Sequence, residues 1–106
     1  MRIEKLHNKQ GIKEIEIEPS VCCYCPLGAD WYNMKVNIKI KIDKYYPNYC
    51  DIRAFLNEEI QGKNLIIEDV LDKVYNFIKL YEPKELVVTG IVSEIESHPP
   101  VKVTKY

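Results

Sequence analysis

Three cysteines stand within four positions in the stretch SVCCYCPLGAD, residues 20–30, and a fourth is Cys50. A cysteine can bind a metal, attack an electrophilic carbon as its thiolate, or fill a small apolar gap. Cys22 and Cys25 form a C-x-x-C, half of the ligand set of a structural zinc. The other half would have to come from Cys50 and His98, which stand singly rather than as a second close pair, so no metal is expected. A thioredoxin-like redox role is disfavoured, because no β-α-β pattern follows the C-x-x-C.

A nucleophilic cysteine needs a group nearby that moves protons. Asp30 supplies a carboxyl five residues after Cys25 and seven after Cys23. Such a group can carry protons to a nitrogen formed at a carbon that sulfur has attacked. No histidine is near in sequence, which removes support for a Cys-His hydrolase. Glu68 opens the second helical stretch, where a carboxylate is favoured by the helix dipole. Its other use is as a bidentate acceptor for adjacent N–H groups on a guanine-like ring. On spacing alone the bland alternatives stay open: cysteines as fillers, Asp30 as a turn former, Glu68 as ordinary helix-start chemistry.

These side chains must be positioned by four strand-like and two helix-like segments. In residues 12–18, Ile15 and Ile17 alternate with Glu14, Glu16 and Glu18, and Pro19 closes the segment. Val36, Ile38, Ile40 and Ile42 face one way while Lys35, Asn37, Lys39 and Lys41 face the other, the period of a sheet with one wet face. The cysteine stretch between these strands is expected to be a loop of about 13 residues. A helix is expected over residues 51–62, with Asp51 as N-cap, an apolar face of Ile52, Phe55, Leu56 and Ile60, and Gly62 as its stop. A second places Ile67, Val70, Leu71, Val74, Ile78 and Tyr81 at helical spacing, with Asn64 as its cap and Pro83 past its end. Residues 85–95 read as a buried strand and 101–106 as a short last one. The order β-β-α-α-β-β implies an α+β fold, an antiparallel sheet with both helices on one face.

The 106 residues make one domain, 1–106, with 46% hydrophobic and 29% charged residues, the balance of a folded chain. A core of this size is modest, which favours association into oligomers. The net charge of -1 gives no strong electrostatic grip on nucleic acid. Met1 is followed by charged residues and no apolar run approaches a membrane span, so a cytoplasmic location with reduced thiols is expected.

The β-β-α-α-β-β order, the Cys25-Pro26 pair and I-I-E-D at residues 66–69 resemble the tunnelling fold and, within it, the QueF superfamily. That superfamily includes NADPH-dependent 7-cyano-7-deazaguanine reductases and the shorter archaeal amidinotransferases of archaeosine formation. The resemblance runs from about residue 20 to the end, and chain length brings it nearer the amidinotransferases. It implies a cysteine that forms a thioimide with the nitrile of 7-cyano-7-deazaguanine, an aspartate that handles protons, and a glutamate that grips the base. Carried over, Cys25 is the nucleophile because Pro26 follows it, Asp30 the proton shuttle, and Glu68 the base-binding acid; Cys23 is a second nucleophile candidate. The resemblance also implies a homo-oligomeric barrel with sites between subunits, and a substrate that is free or carried on tRNA. The family pattern spaces its aspartate seven residues after the cysteine, where this chain has Tyr32, and has His-Glu where this chain has Ile67-Glu68. The motif E-S-K-S-x-K, linked to NADPH use, has no counterpart near residues 49–55. No cofactor is therefore expected for the favoured amidinotransferase activity, and NADPH only for the reductase alternative. Two others are a non-catalytic, zinc-stabilised binding module and a homologue acting on a pterin or other purine-like ring.

Overall fold

A computed structural model describes residues 3–94 and 99–106. The chain runs β1 (Leu6–His7), β2 (Glu14–Ile17), β3 (Ser20–Cys25), β4 (Asp30–Lys41), β5 (Tyr45–Tyr46), α1 (Tyr49–Phe55), a π-helical turn (Leu56–Ile60), α2 (Ile67–Lys79), β6 (Glu85–Val92) and β7 (Val101–Lys105). The order of the main antiparallel sheet is β2-β4-β6-β7, with β3 also paired to β4; β1 and β5 form a separate two-stranded ribbon.

The long strand β4 organises everything else. Its side chains alternate without a fault: Tyr32, Met34, Val36, Ile38 and Ile40 are buried, while Trp31, Lys35, Lys39 and Lys41 are exposed. Twelve residues at about 3.3 Å each give a strand of roughly 40 Å, long enough to seat two shorter strands end to end along one edge. β2 pairs with its C-terminal half (Ile15 opposite Ile40) and β3 with its N-terminal half (Val21 opposite Met34). Pro19, which has no N–H to give, stands at the joint, and its carbonyl accepts from the Val36 N–H at 2.8 Å.

The expected 13-residue loop is therefore absent: the cysteine stretch is a strand, and only residues 26–29 turn. The backbone groups of Ser20–Cys25 find partners along β4, which stabilises an extended conformation that the mixed Ser, Cys and Tyr pattern does not announce.

Both helices cover the same face of the sheet. Val70, Leu71, Val74, Phe77 and Ile78 of α2 are buried against it, with Ile52 and Phe55 of α1 and Leu56 and Ile60 of the π-helical turn. Phe55 and Phe77 stack with centroids 4.3 Å apart and tie the two helices together. α2 ends at Lys79, so Tyr81 lies beyond it, fully buried, with its hydroxyl donating to Asp51 at 3.3 Å. At Gly90 the sheet comes so close to α2 that a Cβ would lie 2.9 Å from Met34 Sδ, 3.1 Å from Leu71 Cδ2 and 3.3 Å from Ile67 Cγ2.

Two expected caps are corrected. Asn48, not Asp51, caps α1, its Oδ1 accepting from the N–H groups of Cys50 and Asp51 at 2.9 and 3.3 Å; Asp51 sits in the first turn. At α2 the cap position is Ile66, with no side-chain hydrogen bond, and Asn64 instead forms a parallel bridge with Tyr24. Gly62 does end its segment, at φ +75°. Of the strand expected over residues 85–95, the last residue, Ile95, lies outside the described residues.

Candidate active site

The β3–β4 hairpin brings Cys25 and Asp30 together. They are the last register pair before the turn at 26–29, and cross-strand partners point to the same face with Cβ atoms about 4.5–5.5 Å apart. Cys23 lies opposite Tyr32 and Val21 opposite Met34, so all of these share the face that the helices cover. The turn is closed by the Gly28 N–H, which donates to Cys25 Sγ at 3.4 Å, and by Ala29 in the left-handed region at φ 53°. Asp30 accepts from the N–H of Trp31 at 2.8 Å. Cys25 and Asp30 are half-buried, which leaves both open to a ligand.

The other end of the site arrives along β3's outer edge. Gly62 N–H donates to the Cys22 carbonyl at 2.8 Å, Tyr24 N–H to the Lys63 carbonyl at 3.0 Å, and Leu65 N–H to the Tyr24 carbonyl at 3.1 Å. This strip runs straight into the first turn of α2, which carries Glu68, exposed, next to Asp69. The Tyr32 hydroxyl crosses from β4 to donate to the Leu65 carbonyl. Its pKa is pushed well above the usual tyrosine range, by burial first, then by the charges of Cys23 and Cys25, by its hydrogen bond with Cys23, and by Glu68. Tyr32 is thus within electrostatic reach of both the hairpin cysteines and the α2 carboxylate.

The four cysteines are all free and differ sharply in setting. Cys23 is fully buried; its Sγ donates to the Ile60 carbonyl at 3.3 Å. Burial raises its thiol to about 11, partly offset by the hydrogen bond with Tyr32 and reinforced by Cys22. Cys22 belongs to the opposite face, across from Asn33, because successive strand residues alternate. A C-x-x-C on a regular strand therefore splits its two sulfurs between the faces of the sheet, the reverse of what a shared zinc requires. Cys50 is exposed at the start of α1. Among the described residues no group of three or more His, Cys, Asp or Glu is placed to hold a metal, and His98 lies outside them.

Cys25 and Asp30 lie at the hairpin and Glu68 at the start of α2, with Tyr32 as the residue that feels both. Hollows of the molecule include one of ≈ 460 Å³ beside the β1–β5 ribbon, lined by Leu6, His7, Gln10, Ile12 and Tyr46, and one of ≈ 320 Å³ between the Pro19 joint and α1. Among the described residues no helix is long and apolar enough to cross a membrane. What the sequence did not reveal was Tyr32. Its signal was the alternation of β4, which runs back from Val36 through Met34 and Tyr32 to Asp30 on one face.

No family model matches the chain, and no curated protein matches it in sequence. Its structure is similar to the crystal structure of the archaeosine synthase QueF-Like in the apo form, with a TM-score of 0.78 at 12% identity, over 90% of this chain and 93% of that one. The fold is α+β and is the one seen in that QueF-like protein, with an antiparallel sheet and two helices on one face.

Proposed function

We propose that this chain is a QueF-like enzyme of 7-deazaguanine metabolism that uses Cys25 to attack the nitrile of 7-cyano-7-deazaguanine. The observation that carries this is the register pairing of Cys25 with Asp30, which puts a half-buried thiol and a carboxyl side by side on the face shared with the start of α2. The similar fold of an archaeosine synthase supports it.

The steps follow from that pair. Asp30 takes the proton of the Cys25 thiol, and the thiolate adds to the nitrile carbon. The C–S bond forms, the displaced electron pair moves to nitrogen, and Asp30 returns the proton there, giving a thioimide. Ammonia then adds to the same carbon, the C–S bond breaks, and the thiolate leaves with an amidinium as product. Glu68 would accept the adjacent N–H groups of the base, holding the ring over the hairpin. Cys25 is preferred to Cys23 because Cys23 is inaccessible and its burial disfavours the thiolate. The amidinotransferase needs no nicotinamide cofactor, and its substrate is the nitrile base, free or carried on tRNA, in the cytoplasm. The resemblance to the superfamily implies a homo-oligomer in which a second subunit completes the site.

The test is intact-mass spectrometry after incubation with 7-cyano-7-deazaguanine. An adduct of one ligand mass is expected, retained in Cys22→Ala and lost in Cys25→Ala. No adduct on the unaltered protein would remove the nitrile from the account. NADPH added to the adduct, with its absorbance followed, separates the two chemistries: steady absorbance supports the amidinotransferase, and consumption would make the protein a reductase.

A further inference from the structure

Tyr32 joins the two halves of the site, and its hydroxyl has a role its ring does not need. The residue is 2% exposed and lies on β4 opposite Cys23, diagonal to Cys25 on the same face. A phenylalanine would fill the same space among Val21, Met34 and the helices. The hydroxyl adds directed interactions: it donates to the carbonyl of Leu65 and stands against the buried Cys23 thiol. Leu65 is the last residue of the strip held along β3 by its own N–H, and it precedes the first turn of α2, where Ile66 provides no side-chain cap. A buried hydroxyl without a partner is unfavourable, so this bond fixes how far the α2 start stands from the sheet. Glu68 is three residues further on.

We propose that the Tyr32 hydroxyl is a clasp that sets Glu68 at its working distance from Cys25, making Tyr32 a positioning residue for base binding; this rests on the roles given above to Cys25 and Glu68. The clasp acts on affinity and leaves the thiol's own reactivity alone, because it holds the helix and not the hairpin turn.

Tyr32→Phe tests this in two ways. The concentration of 7-cyano-7-deazaguanine that half-saturates adduct formation should rise roughly fivefold, the size of one net hydrogen bond, with the maximal rate unchanged. Alkylation of Cys25 by iodoacetamide should proceed within about twofold of the unaltered rate, and hydrogen exchange should quicken at the amides of residues 66–70 and not along β4. Unchanged half-saturation together with unchanged exchange would overturn the proposal. A loss of Cys25 alkylation would do the same, as would a Tyr32→Phe chain that fails to fold, since the hydroxyl would then serve the fold at large. If the unaltered protein forms no adduct, the proposed function fails on its own. The exchange experiment, which needs no ligand, then decides the clasp alone: local quickening at 66–70 supports it, and no change refutes it.

Discussion

Cys23 should be the slowest of the four thiols to react, although it sits between two neighbours that are open to reagent. The perturbation is a series of iodoacetamide pulses on the folded protein at pH 8. Burial leads the causes that raise Cys23 to about 11, against 9.0 for an ordinary thiol of its kind. At pH 8 roughly one Cys23 in a thousand is then thiolate, compared with about one in ten for the ordinary thiol, a difference of about a hundredfold in the reactive species. Full burial under the Ile60 carbonyl adds to this, because the reagent reaches the sulfur only when the hairpin opens. Cys50, exposed at the start of α1, is the internal standard. Quenching at intervals, digesting, and locating the label by fragment masses gives a rate for each cysteine. Cys50 and Cys25 should be modified first and Cys23 at least about a hundredfold more slowly than Cys50, until denaturant erases the difference. Labelling of Cys23 within tenfold of Cys50 in the folded protein would refute the packing described for β3, and would restore Cys23 as a nucleophile.

Gly90→Ala should destabilise the protein by about 1–3 kcal/mol, because the added Cβ meets Met34, Leu71 and Ile67. A fall in melting temperature of roughly 4–8 °C per kcal/mol would show it, and an unchanged value would mean α2 stands further from the sheet. Asn48→Ala should cost about 1 kcal/mol by denaturant titration, since the cap loses its bonds to the N–H groups of Cys50 and Asp51, whereas Asn48→Asp should change little. Stability should decline as pH rises above 9. Cys23 keeps its proton in the folded state up to about 11 while the unfolded chain releases it from 9.0, so the unfolded state binds fewer protons in that window. The loss from Cys23 amounts to roughly 2–3 kcal/mol by pH 11, with Tyr81, raised to about 12, extending it upward. A flat denaturation midpoint between pH 8 and 10.5 would contradict this.

Most of the scaffold was legible because its elements carry strong local patterns. The alternation from Val36 to Ile42 and the helical spacing from Ile67 to Ile78 reflect burial on one face, and burial is what selects apolar residues. β3 was not legible. In S-V-C-C-Y-C both faces carry small or amphipathic residues, so no contrast of polar against apolar marks a strand, and its extended shape comes from β4 on one side and residues 62–65 on the other. The cap at Asn48 was missed for a similar reason: Asp51 is as good a capping residue, and only the path of the chain after β5 decides where the helix begins.

The sequence by itself determined the residue types of the site and the helix start that carries Glu68, while Asp30 and Tyr32 read as loop and joined β4 only in the structure. The sequence left Cys25 and Asp30 apparently too close in spacing to serve one another. In the tertiary structure that short spacing is a four-residue turn that makes the two side chains cross-strand partners. The same pairing sent Cys22 to the far face and Cys23 into the core, separating three adjacent cysteines into three environments. Spacing along a chain measures covalent distance, whereas the chemistry of a thiol depends on the face it occupies, its exposure and its neighbours, and these are set by which strand lies beside it.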